Sequence, residues 1–222
     1  MVVKKLSLHL VLLLSLGYTS GYGQKSVNIS VVRKQESIKS DSSDRTFLFS
    51  WDEVVLKDKE VTKLINSEIR VLLSIYKEIP WDAEEYSPEC KIVYAKNNLI
   101  SYTLTSYTYF SGAPHGYRLF QTRNFSAFTG QQINFRAFIK DDKIAKLDSV
   151  ILDMLEKRLT SSDLEHYKQQ LPNLYFELSD KGIRIDFIGE NYATSVVDIH
   201  MDFKQLEQFV NKRGLLKGFY AH

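Results

Sequence analysis

The chain has 222 residues, with 29 basic and 27 acidic side chains, 13 tyrosines, 13 phenylalanines and a single cysteine. This near-neutral balance gives no electrostatic reason to expect nucleic acid or an anionic membrane as partner. One cysteine excludes an intramolecular disulfide, so stability must come from a packed, aromatic-rich core.

Residues 1–23 read MVVKKLSLHLVLLLSLGYTSGYG. Lys4 and Lys5 precede an apolar run from Leu6 to Leu16, and Gly21 and Gly23 stand at −3 and −1 to a cut before Gln24. That layout predicts a secretory signal peptide. The run falls short of the roughly 20 apolar residues that span a bilayer. The expectation is an exported chain, periplasmic or extracellular, with no stable membrane insertion. Without Lys4 and Lys5, 27 basic residues face 27 acidic ones.

Residues 24–90 read as an N-terminal strand–helix region, either a small companion domain or part of the same fold. A short strand is expected early in 24–45, and a strand or strand pair over Thr46–Leu56. From Lys59 the period lengthens: Val61, Ile65, Ile69, Leu72, Tyr76 and Ile79 mark one face of an amphipathic helix that Pro80 ends. Trp81–Glu89 reads as a loop with solvated carboxylates, and Cys90 as a buried thiol.

Residues 91–214 read as an α+β domain. Lys91–Ala95 and Leu99–Phe110 flank Asn97–Asn98, a hairpin turn suited to residues that tolerate positive φ. In the second run Ile100, Tyr102 and Leu104 share one face, while Ser101, Thr103 and Thr105 form a wetter one. Strands are expected over Tyr117–Phe128 and Ile133–Ile139, a helix over Asp142–Leu159, a hairpin of Leu174–Leu178 with Ile183–Ile188 around Gly182, and a strand over Ser195–His200. A last helix should start at Asp202, with Gln205 at capping-box spacing, and stop near Gly214. Helices and strands do not alternate regularly, so a doubly wound sheet is disfavoured. The expected fold is α+β, an antiparallel β-sheet with helices packed on one face.

The stretch TYFSGAPHGYRLFQTRNFSAFTGQQINFRAFI resembles the central segment of the RsiV-type bacterial extracytoplasmic domains, in which a tyrosine-bearing strand runs into an SGGAHGN loop. Ser111, Gly112, Ala113, His115 and Gly116 match that loop, and Phe125, Thr129, Gly130, Ile133 and Phe135 match the following hairpin, with Asp141–Asp142 near the family's acidic pair. YFELSDKGIRIDF over Tyr175–Phe187 and the succession Tyr192, Ala193, Val197, Asp198, Ile199 continue the resemblance to about residue 212. LINSEI around Asn66 is similar to the companion domain seen beside PdaC-type deacetylases. The chain departs from the pattern at Pro114, and at Asn191, Thr194 and Ser195.

Four readings compete for Phe110–Phe120, FSGAPHGYRLF. Ser111 and His115 could be nucleophile and base, but no elbow motif or oxyanion segment accompanies them. His115, His166 and His200 would have to converge from three distant segments to hold a metal, so no metal is expected. Gly112, Pro114 and Gly116 suit a plain turn, with His115 bonded to backbone. A binding loop is the fourth reading, in which Tyr109 and Tyr117 with Ser111, Gly112, His115 and Gly116 form the contact surface. No P-loop, dinucleotide fingerprint or other cofactor motif occurs, so no cofactor is expected. Because the RsiV-type family includes a lysozyme-sensing anti-sigma factor, the resemblance implies a non-catalytic cell-envelope module recognising a protein or peptidoglycan-derived ligand. A cell-wall glycan hydrolase or deacetylase using His115 is the alternative.

Overall fold

The computed structural model describes residues 27–40, 44–76, 83–159, 161–187 and 197–211. The signal-peptide segment, Pro80, Asn191–Ser195 and Gly214 lie outside the described residues.

Among the described residues, eight strands form two sheets. The first has the order β1 (Ser30–Lys39), β2 (Thr46–Val55), β3 (Ala83–Lys96), β4 (Leu99–Phe110) and β5 (Tyr117–Ser126), and the second is β6 (Tyr175–Leu178), β7 (Gly182–Phe187) and β8 (Val197–Asp202). All pairs are antiparallel except β2 with β3, which run parallel and pair at Ser50–Glu89 and Trp51–Cys90. The architecture is α+β, as the mixed periodicities predict, but the sheet is split in two. Position 90 falls inside β3, whose strand continues across the boundary drawn from sequence.

Each sheet carries its own apolar core. Helix α1 (Lys59–Tyr76) lays Val61, Ile65, Ile69, Leu73 and Tyr76 against Phe49, Tyr102, Leu104 and Phe125 of the first sheet. Its start is capped by Asp58, whose Oδ1 accepts from the backbone N–H of Glu60 and Val61, satisfying donors that a helix leaves unpaired. Asn66 on α1 does a second job. Its side chain accepts from Val54 N–H and donates to Val54 C=O, both at 3.0 Å, so one buried amide stands in for a neighbouring strand beside β2.

The second core joins α2 (Ile144–Glu156), α3 (Ser161–Lys168) and α4 (Phe203–Leu206) to β6–β8. Leu147, Ile151 and Leu155 of α2 are fully buried there. The capping box is present: Asp202 accepts from Gln205 N–H at 2.7 Å, and Gln205 accepts from Asp202 N–H at 2.9 Å.

Two expectations are corrected. Residues 83–89 are strand, not loop. Ala83, Tyr86 and Pro88 point inward while Glu85 and Ser87 face solvent, so the acids that suggested a loop occupy the wet positions of a pleat. Ile133–Ile139 is no strand: a 3-10 turn at Phe135–Phe138 buries both phenylalanines, which that tight turn carries into the second core.

Candidate functional site

The loop Ser111–Gly116 joins β4 to β5 and is held as a turn. Asn97 and Asn98 close the β3–β4 end with φ of 53° and 61°, while at the opposite end Gly112 takes φ 77° and Ala113 N–H bonds to Phe110 C=O at 3.1 Å. A side chain at Gly112 would meet strained backbone even though the space around it is open. Gly116 is glycine for a different reason. A Cβ there would sit 2.4 Å from the Tyr107 ring, so the ring occupies the volume a side chain would fill.

Ser111 and His115 are exposed. The His115 Nδ1 lies 3.2 Å from the carbonyl of its neighbour Gly116, and no hydrogen bond joins it to Ser111 among the described residues. His166 instead meets Gln170 at 3.0 Å, and His200 meets Asp198 at 2.7 Å. Among the described residues no three histidine, cysteine or acidic side chains are placed to hold a metal ion. Cys90 is fully buried, and burial, with the nearby Asp52 carboxylate, pushes its thiol up to about 12, far from the thiolate range of a nucleophile.

The structure separates the two tyrosines that sequence placed together. Residues directly opposite on antiparallel strands share a face. Tyr117 pairs with Thr108 and stacks on Phe110, ring centroids 5.7 Å apart and planes at 23°, on the α1 side of the sheet. Tyr109 pairs with Glu85 and Tyr107 with Ser87 and Arg118, on the outer side. The Arg118 guanidinium lies 5.9 Å from the Tyr107 ring centroid. Tyr107 therefore lies between Gly116 and Arg118, while the Tyr109 hydroxyl makes no hydrogen bond among the described residues. Nothing in the sequence marks Tyr107 and Arg118 as a pair; the two-residue spacing of Tyr107 and Tyr109 signals a shared face, and the β4–β5 register brings Arg118 to it.

Further along, β6 crosses the same outer face and closes it. Asn124 donates to Phe176 C=O at 2.8 Å, and Thr103 donates to Glu177 at 2.8 Å. Arg184 bridges Glu177 and Asp186, each at 3.0 Å, and lies 4.9 Å above the Phe120 ring. Asp186 is 2% exposed. Burial pushes its carboxyl up to about 7, with Glu177 and Asp198 adding to the rise and Arg184 opposing it. The loop half of this face stays open, with Tyr107 and Tyr109 half-buried and Glu85, Ser87 and Arg118 exposed.

No described helix is long and apolar enough to cross a membrane. The sequence matches no protein-family model, and none of the curated proteins matches it. The structure is similar to that of a DUF3298 family member from Bacteroides fragilis, with a TM-score of 0.56 at 12% sequence identity over 88% of this chain and 98% of that one. A DUF3298 family protein from Pseudomonas aeruginosa aligns with a TM-score of 0.47 at 11% identity, over 83% of this chain and 94% of that one. The first likeness shows the fold: this chain is built like a DUF3298 protein.

Proposed function

We propose that the chain is an exported, non-catalytic binding module of the bacterial cell envelope, recognising a protein such as a lysozyme, or a wall-derived ligand. The observation that carries this reading is the open outer face at the loop end of β4 and β5. Tyr107 lies over Gly116 and beside Arg118, Tyr109 offers an unengaged hydroxyl, and charged side chains of both signs, Glu85 and Arg118, surround them. Tyrosines, with two side-chain torsions, give large contact area at little entropic cost, and a rim of mixed charge selects among partners. The RsiV-type resemblance supplies the class of partner. It does not extend to signalling across a membrane.

The reading is tested by binding of the protein to immobilised lysozymes and to muropeptides. Saturable binding weakened about thirtyfold or more by Tyr107→Ala or Tyr109→Ala is expected, with Tyr117→Ala much milder because its ring faces the α1 side. Absence of binding to either ligand class, or binding indifferent to both outer-face substitutions, would sink it.

A further inference from the structure

About 20 Å along β5 from the loop, at roughly 3.3 Å per residue, lies a pocket of about 200 Å³ between β5, the segment before the first 3-10 turn, the Leu171–Asn173 turn and β6. Its lining includes the side chains of Gln132, Asn134 and Asn173, all exposed and none spent on a hydrogen bond to the described protein. Beneath them Thr122 and Asn124, each 3% exposed, keep a buried oxygen without a partner: Thr122 Oγ1 and Asn124 Oδ1. The Asn124 amide nitrogen is already committed to Phe176 C=O, which leaves Oδ1 aimed elsewhere as a pure acceptor. No carboxylate lines the pocket. Its one guanidinium, Arg123, donates to Thr122 C=O at 2.9 Å and rests 5.6 Å from the Tyr175 ring centroid.

Buried polar atoms are paired in folded proteins, and each exception calls for an explanation. Here two buried oxygens lie under three unspent amides in a half-open pocket whose one charge, the Arg123 guanidinium, is engaged by the Thr122 carbonyl and the Tyr175 ring. We propose that this pocket binds a neutral, hydroxyl-rich ring of single-sugar size, whose hydroxyl or amide hydrogens meet Thr122 and Asn124 while Gln132, Asn134 and Asn173 clasp its edge. The size agrees. A cavity of about 150 Å³ holds benzene, whereas drug-sized ligands take roughly 300 Å³ or more, so 200 Å³ admits one substituted six-membered ring. Both oxygens are shielded from bulk solvent, so the ring must press into the pocket floor to reach them. The proposal concerns a different site from the tyrosine face and stands independently of the reading given to that face.

The test is a titration of the whole chain with glucose, N-acetylglucosamine and glucuronate, followed by backbone amide NMR shifts. Saturable, millimolar shifts at 122–124, 132–135 and 173–176 with the neutral sugars are expected. Thr122→Val should weaken them about two- to tenfold, the worth of one hydrogen bond, while leaving the unliganded fold as stable or more so, because it removes an unpaired buried hydroxyl. Asn173→Ala, at an exposed rim position, should weaken them similarly, and Tyr109→Ala should leave them unchanged. No saturable shift with either neutral sugar, tighter binding of glucuronate, or indifference to both Thr122→Val and Asn173→Ala would overturn the assignment.

Discussion

The outer face of β4 behaves as two different surfaces within one strand. Ser101 and Thr103 are 0% and 7% exposed under β6, whereas Thr105, Tyr107 and Tyr109 further along are half-buried on the open side. The same alternation of polar residues thus makes an internal seam at one end and a docking face at the other. In the seam an unpaired hydroxyl is costly because water is excluded; Thr103 finds Glu177, while the hydroxyl of Thr122 across from it has no partner among the described residues. On the open half water satisfies whatever the protein does not, so Tyr109 can keep its hydroxyl unspent. A polar strand position has no fixed role until its covering layer is known.

This difference is sharpest for Asp186, the most deeply buried acid of the seam. Its folded carboxyl titrates near 7, above the roughly 3.9 of an unfolded aspartate, so the folded state holds the extra proton between those values. Stability from this group is fully present below about pH 4 and is lost as pH rises to about 7. Urea unfolding of Asp186→Asn should therefore lack that decline and exceed the wild type by roughly 2–4 kcal/mol at pH 8. A difference between the two proteins that does not change from pH 4 to 8 would contradict a protonated seam.

Thr103→Val is the next largest effect, about 1.5–3 kcal/mol of destabilisation, because Glu177 loses a hydrogen bond to a charged acceptor. The same Thr→Val exchange at Thr105, on the open half, should change the unfolding midpoint hardly at all. Equal costs at both positions would erase the distinction between seam and face.

Gly116→Ala should cost about 1 kcal/mol or less, since the atoms it strikes are the far end of the Tyr107 side chain, which can swing away. Its larger consequence is on binding, where displacing the Tyr107 ring should weaken a partner nearly as much as Tyr107→Ala. The smallest effects are expected at Tyr109→Ala and His115→Asn, within about 0.5 kcal/mol in thermal unfolding, as befits side chains with little packing. A large loss of stability at either would mean that the loop end is part of the core.

Much of the fold was legible from the chain alone. The α1 periodicity, the Asn97–Asn98 turn and the Asp202–Gln205 capping box depend on residues a few positions apart, and the structure has all three. Less of the candidate site was legible. The loop with Gly112, His115 and Gly116 was visible as a turn, but grouping Tyr109 with Tyr117 failed, because neighbours across a hairpin lie on one face or the other according to a register that loop length alone does not reveal. Likewise the acids of residues 83–89 suggested a loop because solvent-facing strand positions and loops share the same composition.

What the sequence by itself determined about this protein is local: where α1 and α4 begin, where the chain must turn, and which positions are apolar; α4 ends at Leu206, short of the stop expected near Gly214. Helical period, capping and positive φ are set by contacts within a few residues, so they can be read without knowing the rest of the chain. Only the tertiary structure decided that Asn66 stands in for a strand beside Val54, that Gly116 yields its space to Tyr107, and that β6 covers Ser101 but not Tyr109. Those outcomes depend on partners roughly ten to eighty residues away, and burial is a property of the layer that arrives from elsewhere in the chain.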